Sequence, residues 1–424
     1  MKKILKKIFQ HSKNFNYIEL SFQDLKKRTY IEKIFEAIES YSDNGEIRYV
    51  GGCVRKIIND ENVDDIDLAT NLTPTEISQA LKKKNIKFYD TGITHGTITA
   101  IINETKFEIT SLREDVLTDG RHAKVKFSKD WSEDASRRDF TINAIYANIN
   151  GELFDPFHGK RDLEQGEVNF IGEPDKRIKE DYLRILRYVR FFLIYSKKTH
   201  DKKVLSVIRK NLDGISKISP DRLMDEFKKL VISNGLSKLH KDTNSIEILN
   251  LIFPQFKNIN IFKNQNKFFE ENFNKLDFIL LISLLIIDGS DNPEYFLYKF
   301  NFSKKDQKRI LFLHNCFSSK EYKKKFTLKN LKKILYFEGK QSLMDLLTFQ
   351  MLKSQKKEKE IKNFIEIFKD QSPPLLPLRA ITLMTKYNIP EGVELGRKLK
   401  LIEERWVDNN FQISEKEVQK LISS

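Results

Sequence analysis

The stretch from Tyr49 to Thr70, YVGGCVRKIINDENVDDIDLAT, constrains this chain more than any other, and it ends in Asp65-Ile66-Asp67. Side chains two apart on a β-strand point to the same face, so Asp65 and Asp67 can present two carboxylates side by side to a bound ion. Such a pair suits Mg²⁺, a hard cation that takes oxygen ligands and shares them with substrate phosphates. Paired ions of this kind clamp the attacking and leaving oxygens of a phosphoryl displacement. Upstream, Gly51-Gly52 lets the backbone come close to a bulky ligand, and Arg55 supplies a charge suited to phosphate. The combination predicts a site for nucleotidyl transfer. Taken alone, an acidic loop beside a Gly-Gly turn is also an ordinary surface feature, so the rest of the chain has to decide.

With 424 residues there is room for two or more domains. The net charge of +15 and the pI near 9.3 favour an acidic partner such as nucleic acid over a neutral metabolite. Lys is abundant throughout, so charge by itself does not choose between binding and compositional bias. Cys53 and Cys316 are the two cysteines, far apart and without a CxxC. They exclude a disulfide framework and a cysteine zinc site and suit a reducing compartment. Cys53 reads as a small residue filling a tight space. No histidine pair has the spacing of a metal-binding helix, and the dipeptide His200-Asp201 reads as a loop. The first fifteen residues, MKKILKKIFQHSKNF, lack the apolar core of a secretory signal and predict a short basic amphipathic helix lying on the fold. The apolar run from Phe278 to Ile287 is too short to span a bilayer and predicts a buried helix. The expectation is a cytoplasmic protein with no membrane partner.

Taken in order, Leu25, Ile31, Ile34, Phe35 and Ile38 recur at helical spacing between Asp24 and Tyr41, ahead of the turn signal Asp43-Asn44-Gly45. Ile47 to Val50 predicts a short strand, followed by a helix opening at Gly51-Gly52 whose N-terminal amides would favour a triphosphate. Thr73 and Pro74 predict the N-cap and first turn of another helix. GITHGTITAIINETKFEITSL predicts two strands around the turn Asn103-Glu104. In the second of them Phe107 and Ile109 face one way and Glu108 the other, so Glu108 can join Asp65 and Asp67 as a third acid. A solvated Glu on an open face fits the same pattern. Asp115 to Trp131 is polar and predicts a mobile loop before a helix holding SRRDFTINA, in which Arg137 and Arg138 offer phosphate contacts and Asp139 a ribose acceptor. A surface ion pair is the plain alternative. DPFHGKRDL predicts a turn joining sheet to helices.

In EDYLRILRYVRFF, Asp181, Arg184, Arg187 and Arg190 recur every three residues, which predicts one helical face, with Leu183, Leu186, Val189 and Leu193 packed on the other. Asp181 only accepts hydrogen bonds and Arg184 only donates. Together they match the Watson-Crick edges of C and A, which set an amine donor beside a ring-nitrogen acceptor. U and G put a carbonyl where the Asp needs a donor, and a site built this way rejects the wrong base because its polar groups go unpaired. SPDRLMDEFKKLV predicts a capped helix. Beyond it nothing alternates with period two, and the Lys-rich remainder predicts an all-helical body whose runs, such as Lys353 to Lys369, suit solvent or an RNA backbone.

From Tyr49 to Phe192 the succession GGCVR, DIDLAT, THGTIT, KFEITSLRED, TDGRHA, RRDFTINA, DPFHGKRDL and EDYLRILRYVRF resembles the class II tRNA nucleotidyltransferases, or CCA-adding enzymes, and the related bacterial poly(A) polymerases. The likeness is weaker over SPDRLMDEF and faint from Leu376 to Trp406. It implies an α+β fold: a polymerase-beta-like nucleotidyltransferase head, a mixed sheet with helices, followed by an all-α neck, body and tail. The expected division is an N-terminal extension over 1–27, the head over 28–160, a base-recognising neck over 161–235 and a tRNA-binding body and tail over 236–424. The resemblance implies Mg²⁺ ligands at Asp65 and Asp67, with Glu108 a third catalytic acid. Gly51, Gly52 and Arg55 would hold the triphosphate, Arg138 would contact the nucleotide and Asp139 would lie near the ribose. Asp181 and Arg184 would read the base, with Arg187 and Arg190 nearby. The stretch Asp115 to Trp131 would be the family's flexible loop, associated with switching from C to A addition.

Two departures stand out: Lys56 follows the Arg where the family commonly has Asp, and Ser219-Pro220-Asp221-Arg222 replaces Ser-Gly-Glu-Arg. The implied activity is CCA addition to tRNA from CTP and ATP with release of pyrophosphate. Poly(A) synthesis or partial CC or A addition is the near alternative, and a non-catalytic RNA-binding protein the distant one.

Overall fold

The structure, a computed structural model, describes residues 17–92, 96–117, 124–233, 235–262, 276–353 and 358–423. The basic helix expected over the first fifteen residues lies outside them. The chain divides into two compact units, Met1–Ile252 and Phe253–Ser424.

The first unit opens with α1 (Tyr17–Thr29) and α2 (Glu32–Glu39). The helical spacing read from Asp24 to Tyr41 is therefore interrupted, and the break falls at Tyr30, whose φ of 56° no helix accommodates. Then come β1 (Ile47–Val50), α3 (Gly52–Ile58), β2 (Ile66–Thr70) and α4 (Pro74–Lys83). Thr73 and Glu76 close a reciprocal capping box at the start of α4, as the Thr-Pro signal predicts. Next are β3 (Lys87–Gly92), β4 (Thr97–Ile102) and β5 (Thr105–Ser111), with Asn103 and Glu104 both at positive φ in the β4–β5 turn. Positive φ at both central residues matches the twist of a tight hairpin.

The polar stretch expected as a loop from Asp115 instead contributes β6 (Arg113–Leu117) and β7 (Lys124–Phe127), an antiparallel ribbon. Residues 118–123 of that stretch lie outside the described residues. Two short strands, β8 (Tyr146–Ala147) and β9 (Leu153–Phe154), complete a seven-stranded sheet in the order β3-β4-β5-β2-β1-β8-β9. Among its pairs β2 and β5 run parallel, which makes the sheet mixed and sets the Asp-x-Asp strand directly beside the Glu108 strand.

Period-two alternation splits the sheet into two faces. Ile47, Tyr49, Ile66, Leu68, Phe107 and Ile109 enter one core, covered by α1 to α4. Val50 and Ala69 enter a second core with Leu112, Trp131 and Tyr146.

Helices follow: α5 (Trp131–Ser136), α6 (Gly159–Gln165), α7 (Pro174–Glu180), α8 (Leu183–Tyr195), α9 (Lys202–Asn211), α10 (Pro220–Ile232) and α11 (Thr243–Ile252). SRRDFTINA does not sit in one helix. Helix α5 stops at Ser136, Phe140 is extended and bridges to Phe170, and only Thr141–Asn143 turn again. DPFHGKRDL does join sheet to helix: Asp155 accepts from the Gly159 and Lys160 amides at 2.8 and 2.9 Å. Gly159 is required there, because a Cβ would fall 2.1 Å from the Thr141 carbonyl oxygen. His200-Asp201 lies in the connection between α8 and α9, as expected of a loop. Asp201 caps α9, and the buried His200 ring stacks 3.5 Å from Phe192 and bonds Asp242 at 2.8 Å.

In the second unit the described residues contain helices and no strand, as the absence of alternation predicts. The apolar run forms the buried helix Phe278–Ile286. Leu328–Lys353 is bent at Gly339, and Ala380–Tyr387, Val393–Asp408 and Glu415–Ser423 share a small core around Leu383 and Ile402. Among the described residues no helix is long and apolar enough to cross a membrane.

Candidate active site

Because Ile66 and Leu68 point into one core, Asp67 points to the other face of β2, and the same reasoning places Glu108 there on β5. The parallel register sets Asp67 opposite Glu108. The two are thus cross-strand neighbours, and Asp65 lies just before β2. Burial raises the Asp67 carboxyl above the ordinary Asp range; Glu108 and Asp65 push it further up, while Arg138 and Arg55 pull it down. Three mutually repelling carboxylates form an all-oxygen donor set whose repulsion a divalent cation relieves. Among the described residues no three acidic, His or Cys side chains converge into a ready-made cage. Asp65, Asp67 and Glu108 would therefore supply only part of a hard cation's oxygen shell, with water and substrate phosphate supplying the rest.

The glycine corner sits against this acid. Gly51 has φ 66° and ψ −113°, a conformation strained for any residue with a Cβ, although the nearest atoms to such a Cβ would be 3.6 Å away. Gly51 is therefore required by its backbone rather than by crowding. A Cβ on Gly52 would lie 3.9 Å from an Asp67 carboxylate oxygen, so any side chain there would come into van der Waals contact with the acid.

Beside them lies a cavity of about 470 Å³. Gly51, Gly52, Arg55, Asp67, Arg138, Asp139, Asp181, Arg184, Arg187 and Arg190 all face it, so ten of the twelve residues expected in the site meet in one place. Asp65 and Glu108 are outside its lining and join it through Asp67. Arg113, Asn143 and Arg222 also face the cavity and had been given no role. Asn143 lies within the quoted SRRDFTINA. Arg222 lies within the SPDR departure, where an Arg at a helix start was the only available signal.

Most of these arginines are held by the protein itself. Arg55 is 7% exposed, bonds the Asn143 side-chain oxygen and lies over the rings of Phe191 and Tyr195. Arg137 and Arg138 both turn inward to Asp134, at 2.6 and 3.0 Å, and Arg138 also donates to the Tyr146 hydroxyl. Burial would raise Asp134; Arg138, Arg137 and Tyr146 overcome it and hold the carboxyl at about 2. Asp139 is likewise held at about 2, with Arg187 and Asn143 overcoming its burial. Arg187 meets Asp139 at 2.6 Å, and Arg190 meets the buried Glu226.

Asp181 is not on the arginine helix. With φ −154° it separates α7 from α8, and its carboxylate accepts from the Leu183 amide and from Arg222 at 2.7 Å. Arg184, on α8, donates to Glu180 and to the Arg177 carbonyl, both at 2.7 Å. Lys56, where the family commonly has Asp, reaches Asp64 at 3.2 Å, while Asn143 and two aromatic faces support Arg55.

A mixed sheet with paired acids, a glycine corner and an arginine-walled cavity defines a polymerase-beta-like nucleotidyltransferase head. Residues 47–169 match the family described as the Poly A polymerase head domain, and residues 199–259 match the probable RNA and SrmB-binding site of polymerase A. The likeness to CCA-adding enzymes and poly(A) polymerases thus lies in the head, over less than half of the chain. Human mitochondrial CCA tRNA nucleotidyltransferase 1 is 44% identical over 200 residues, 46% of each chain. A CCA-adding enzyme of Lactobacillus delbrueckii is 37% identical over 215 residues, 50% of this chain and 51% of its own. The chain spans about half the length of the curated relatives it matches. Among solved structures, the Bacillus stearothermophilus CCA-adding enzyme in complex with CTP superposes with a TM-score of 0.70 at 19% identity, covering 93% of this chain and 97% of that one. The Thermotoga maritima CCA-adding enzyme complexed with tRNA superposes at 0.62 and 19% identity, covering 93% and 95%. At these identities the superpositions show the fold.

Proposed function

We propose that this protein adds CCA to tRNA 3′ ends from CTP and ATP, releasing pyrophosphate, with Mg²⁺ at Asp65 and Asp67 and Glu108 as the third acid. The observation that carries the reading is the register of Asp67, which lines a cavity walled by arginines, against Glu108. Bound Mg²⁺ would supply charge stabilisation for the phosphoryl oxygens. The chain's own part is positioning. The Gly51-Gly52 corner admits the triphosphate close to Asp67, and Arg55 faces it. The tRNA 3′-hydroxyl oxygen bonds the α-phosphorus, the bond to the bridging oxygen breaks, pyrophosphate leaves with that electron pair, and the hydroxyl proton passes to water. Asp181, steadied by Arg222, and Arg184 read the base edge. The names of the relatives support tRNA, CTP and ATP as substrates. Two free buried thiols, Cys53 and Cys316, support the cytoplasm as the compartment.

The head-family description favours a second reading, poly(A) synthesis. Supplying a tRNA that lacks CCA with CTP, ATP and Mg²⁺ and sequencing the product separates the two. The expected product ends in CCA; long A tails or arrest after CC would replace the proposal. Asp65→Ala and Asp67→Ala should each lower incorporation by at least about 10³-fold, roughly 4 kcal/mol of transition-state stabilisation. Circular dichroism and tRNA binding should stay near wild type. Near-normal turnover in either variant would sink the metal assignment.

A further inference from the structure

The ribbon brings one more cation to the cavity. Arg113 opens β6, opposite Phe127 on β7. The preceding residue, Leu112, donates its amide to the Thr70 carbonyl at 2.7 Å, which fastens the start of β6 to the end of β2, the strand that carries Asp67. The other strand of the ribbon is seated as well: a Cβ on Gly96 would come within 2.9 Å of the Phe127 ring. The root of the ribbon is thus fixed to the sheet on both sides. From that root the Arg113 side chain lines the same cavity as Gly51, Gly52, Arg55 and Asp67, with its Nε sequestered from solvent.

A guanidinium has five donors and no acceptor, so what it can take up from a ligand is an anion or a carbonyl-type oxygen. Its planar fork matches phosphate oxygens. The cavity wall holds eight arginines and three aspartates, so its field favours anionic ligands. Arg137, Arg138, Arg184, Arg187, Arg190 and Arg222 each meet a carboxylate supplied by the surrounding helices or the segments joining them. Arg113 is the arginine that the ribbon contributes to this wall.

We propose that Arg113 is a phosphate-binding residue of the site, reaching from the root of the ribbon to a phosphate of the reacting pair. The proposal rests on the nucleotidyl-transfer reading above. Two sources share this chemistry, the triphosphate of the nucleotide and the terminal phosphodiester of the RNA.

The test uses the full chain and its Arg113→Ala and Arg113→Lys variants, in steady-state assays that vary CTP and tRNA separately. Arg113→Ala raises one KM at least tenfold with the melting temperature unchanged, and Arg113→Lys recovers part of the loss by restoring charge without the fork. A rise confined to CTP assigns the triphosphate, and a rise confined to tRNA assigns the phosphodiester. Equilibrium binding of CTP and of tRNA, measured without turnover, is run beside the kinetics. A wild-type chain that binds but does not incorporate overturns CCA addition, while weakened binding in Arg113→Ala still supports the phosphate contact. Both KM values and both dissociation constants within twofold of wild type overturn it. So does an equal loss for both substrates that tracks a lowered melting temperature and is not rescued by Lys.

Discussion

Arg184 satisfies three acceptors of its own protein, the Glu180 carboxylate and the carbonyls of Arg177 and Arg137. The proposed base reader is thus a guanidinium already aimed by its surroundings, which lowers the cost of ordering it on a base. Arg184→Ala should lower the preference for CTP over UTP by at least tenfold, about 1.4 kcal/mol. Arg184→Lys, which keeps charge but loses the fork, should fall between. Competition of the four nucleotides in single-addition assays reads this directly, and unchanged selectivity would place base reading elsewhere. At this scale most of the residues that meet at the cavity were legible, because motifs such as DIDLAT and EDYLRILRYVRF display them in order. Their partners were not. Arg187 meets Asp139, Arg190 meets Glu226 and Arg222 meets Asp181, pairs 48, 36 and 41 residues apart that no local periodicity encodes. Asp134 was closer to view: it stands three and four positions before two arginines, the spacing at which side chains meet around a helix end, and it pairs with both.

Elements are tied together by the same buried acids. Asp134 joins α5 to Tyr146 of β8, and Asp139 joins the segment after α5 to Arg187 on α8. Both carboxyls fall from 3.8 to about 2 in the fold. A depressed carboxyl stabilises the folded state fully above its unfolded value and loses that contribution as pH falls through its folded value. Each should therefore contribute on the order of 2 kcal/mol above pH 4, lost between about pH 4 and pH 2. Urea midpoints measured across that window should drop steeply in the wild type. In Asp134→Asn they should start lower and fall less, and a parallel curve would show that the acid limb belongs to other groups. Element boundaries were legible where alternation or a cap signals them, as in β4, β5 and α4. They were not legible where a polar side chain competes with the backbone. Asp181 keeps three-residue spacing with the arginines, yet its carboxylate takes the Leu183 amide and the helix restarts after it. The ribbon β6–β7 was hidden for a related reason: its strands are short and rich in charge, REDVL and KVKF, and four or five such residues carry too little apolar alternation to mark a strand.

For the whole molecule, the net charge of +15 is unevenly spread, and the larger share belongs to the unit Phe253–Ser424, where the sequence shows no acid motif and the fold supplies helices. In the first unit the arginines of the cavity are largely matched by buried carboxylates, so its cations serve a local site. The lysines of the second unit are mostly on the surface, where paired ones such as Lys324 with Glu321 remain widely exposed. Exposed charge of this kind contributes little to stability and responds strongly to salt. If it tracks an RNA backbone, tRNA affinity must follow counterion release. Six or more phosphate contacts would cost on the order of 10³-fold in affinity between about 50 and 200 mM salt. If CTP occupies the partly desolvated cavity, its affinity should change far less, by about tenfold at most. Filter binding of tRNA and calorimetric titration of CTP across a KCl series measure both slopes on one protein. A steep slope for tRNA with a shallow one for CTP assigns the surplus charge to the RNA. Equal shallow slopes would return it to composition.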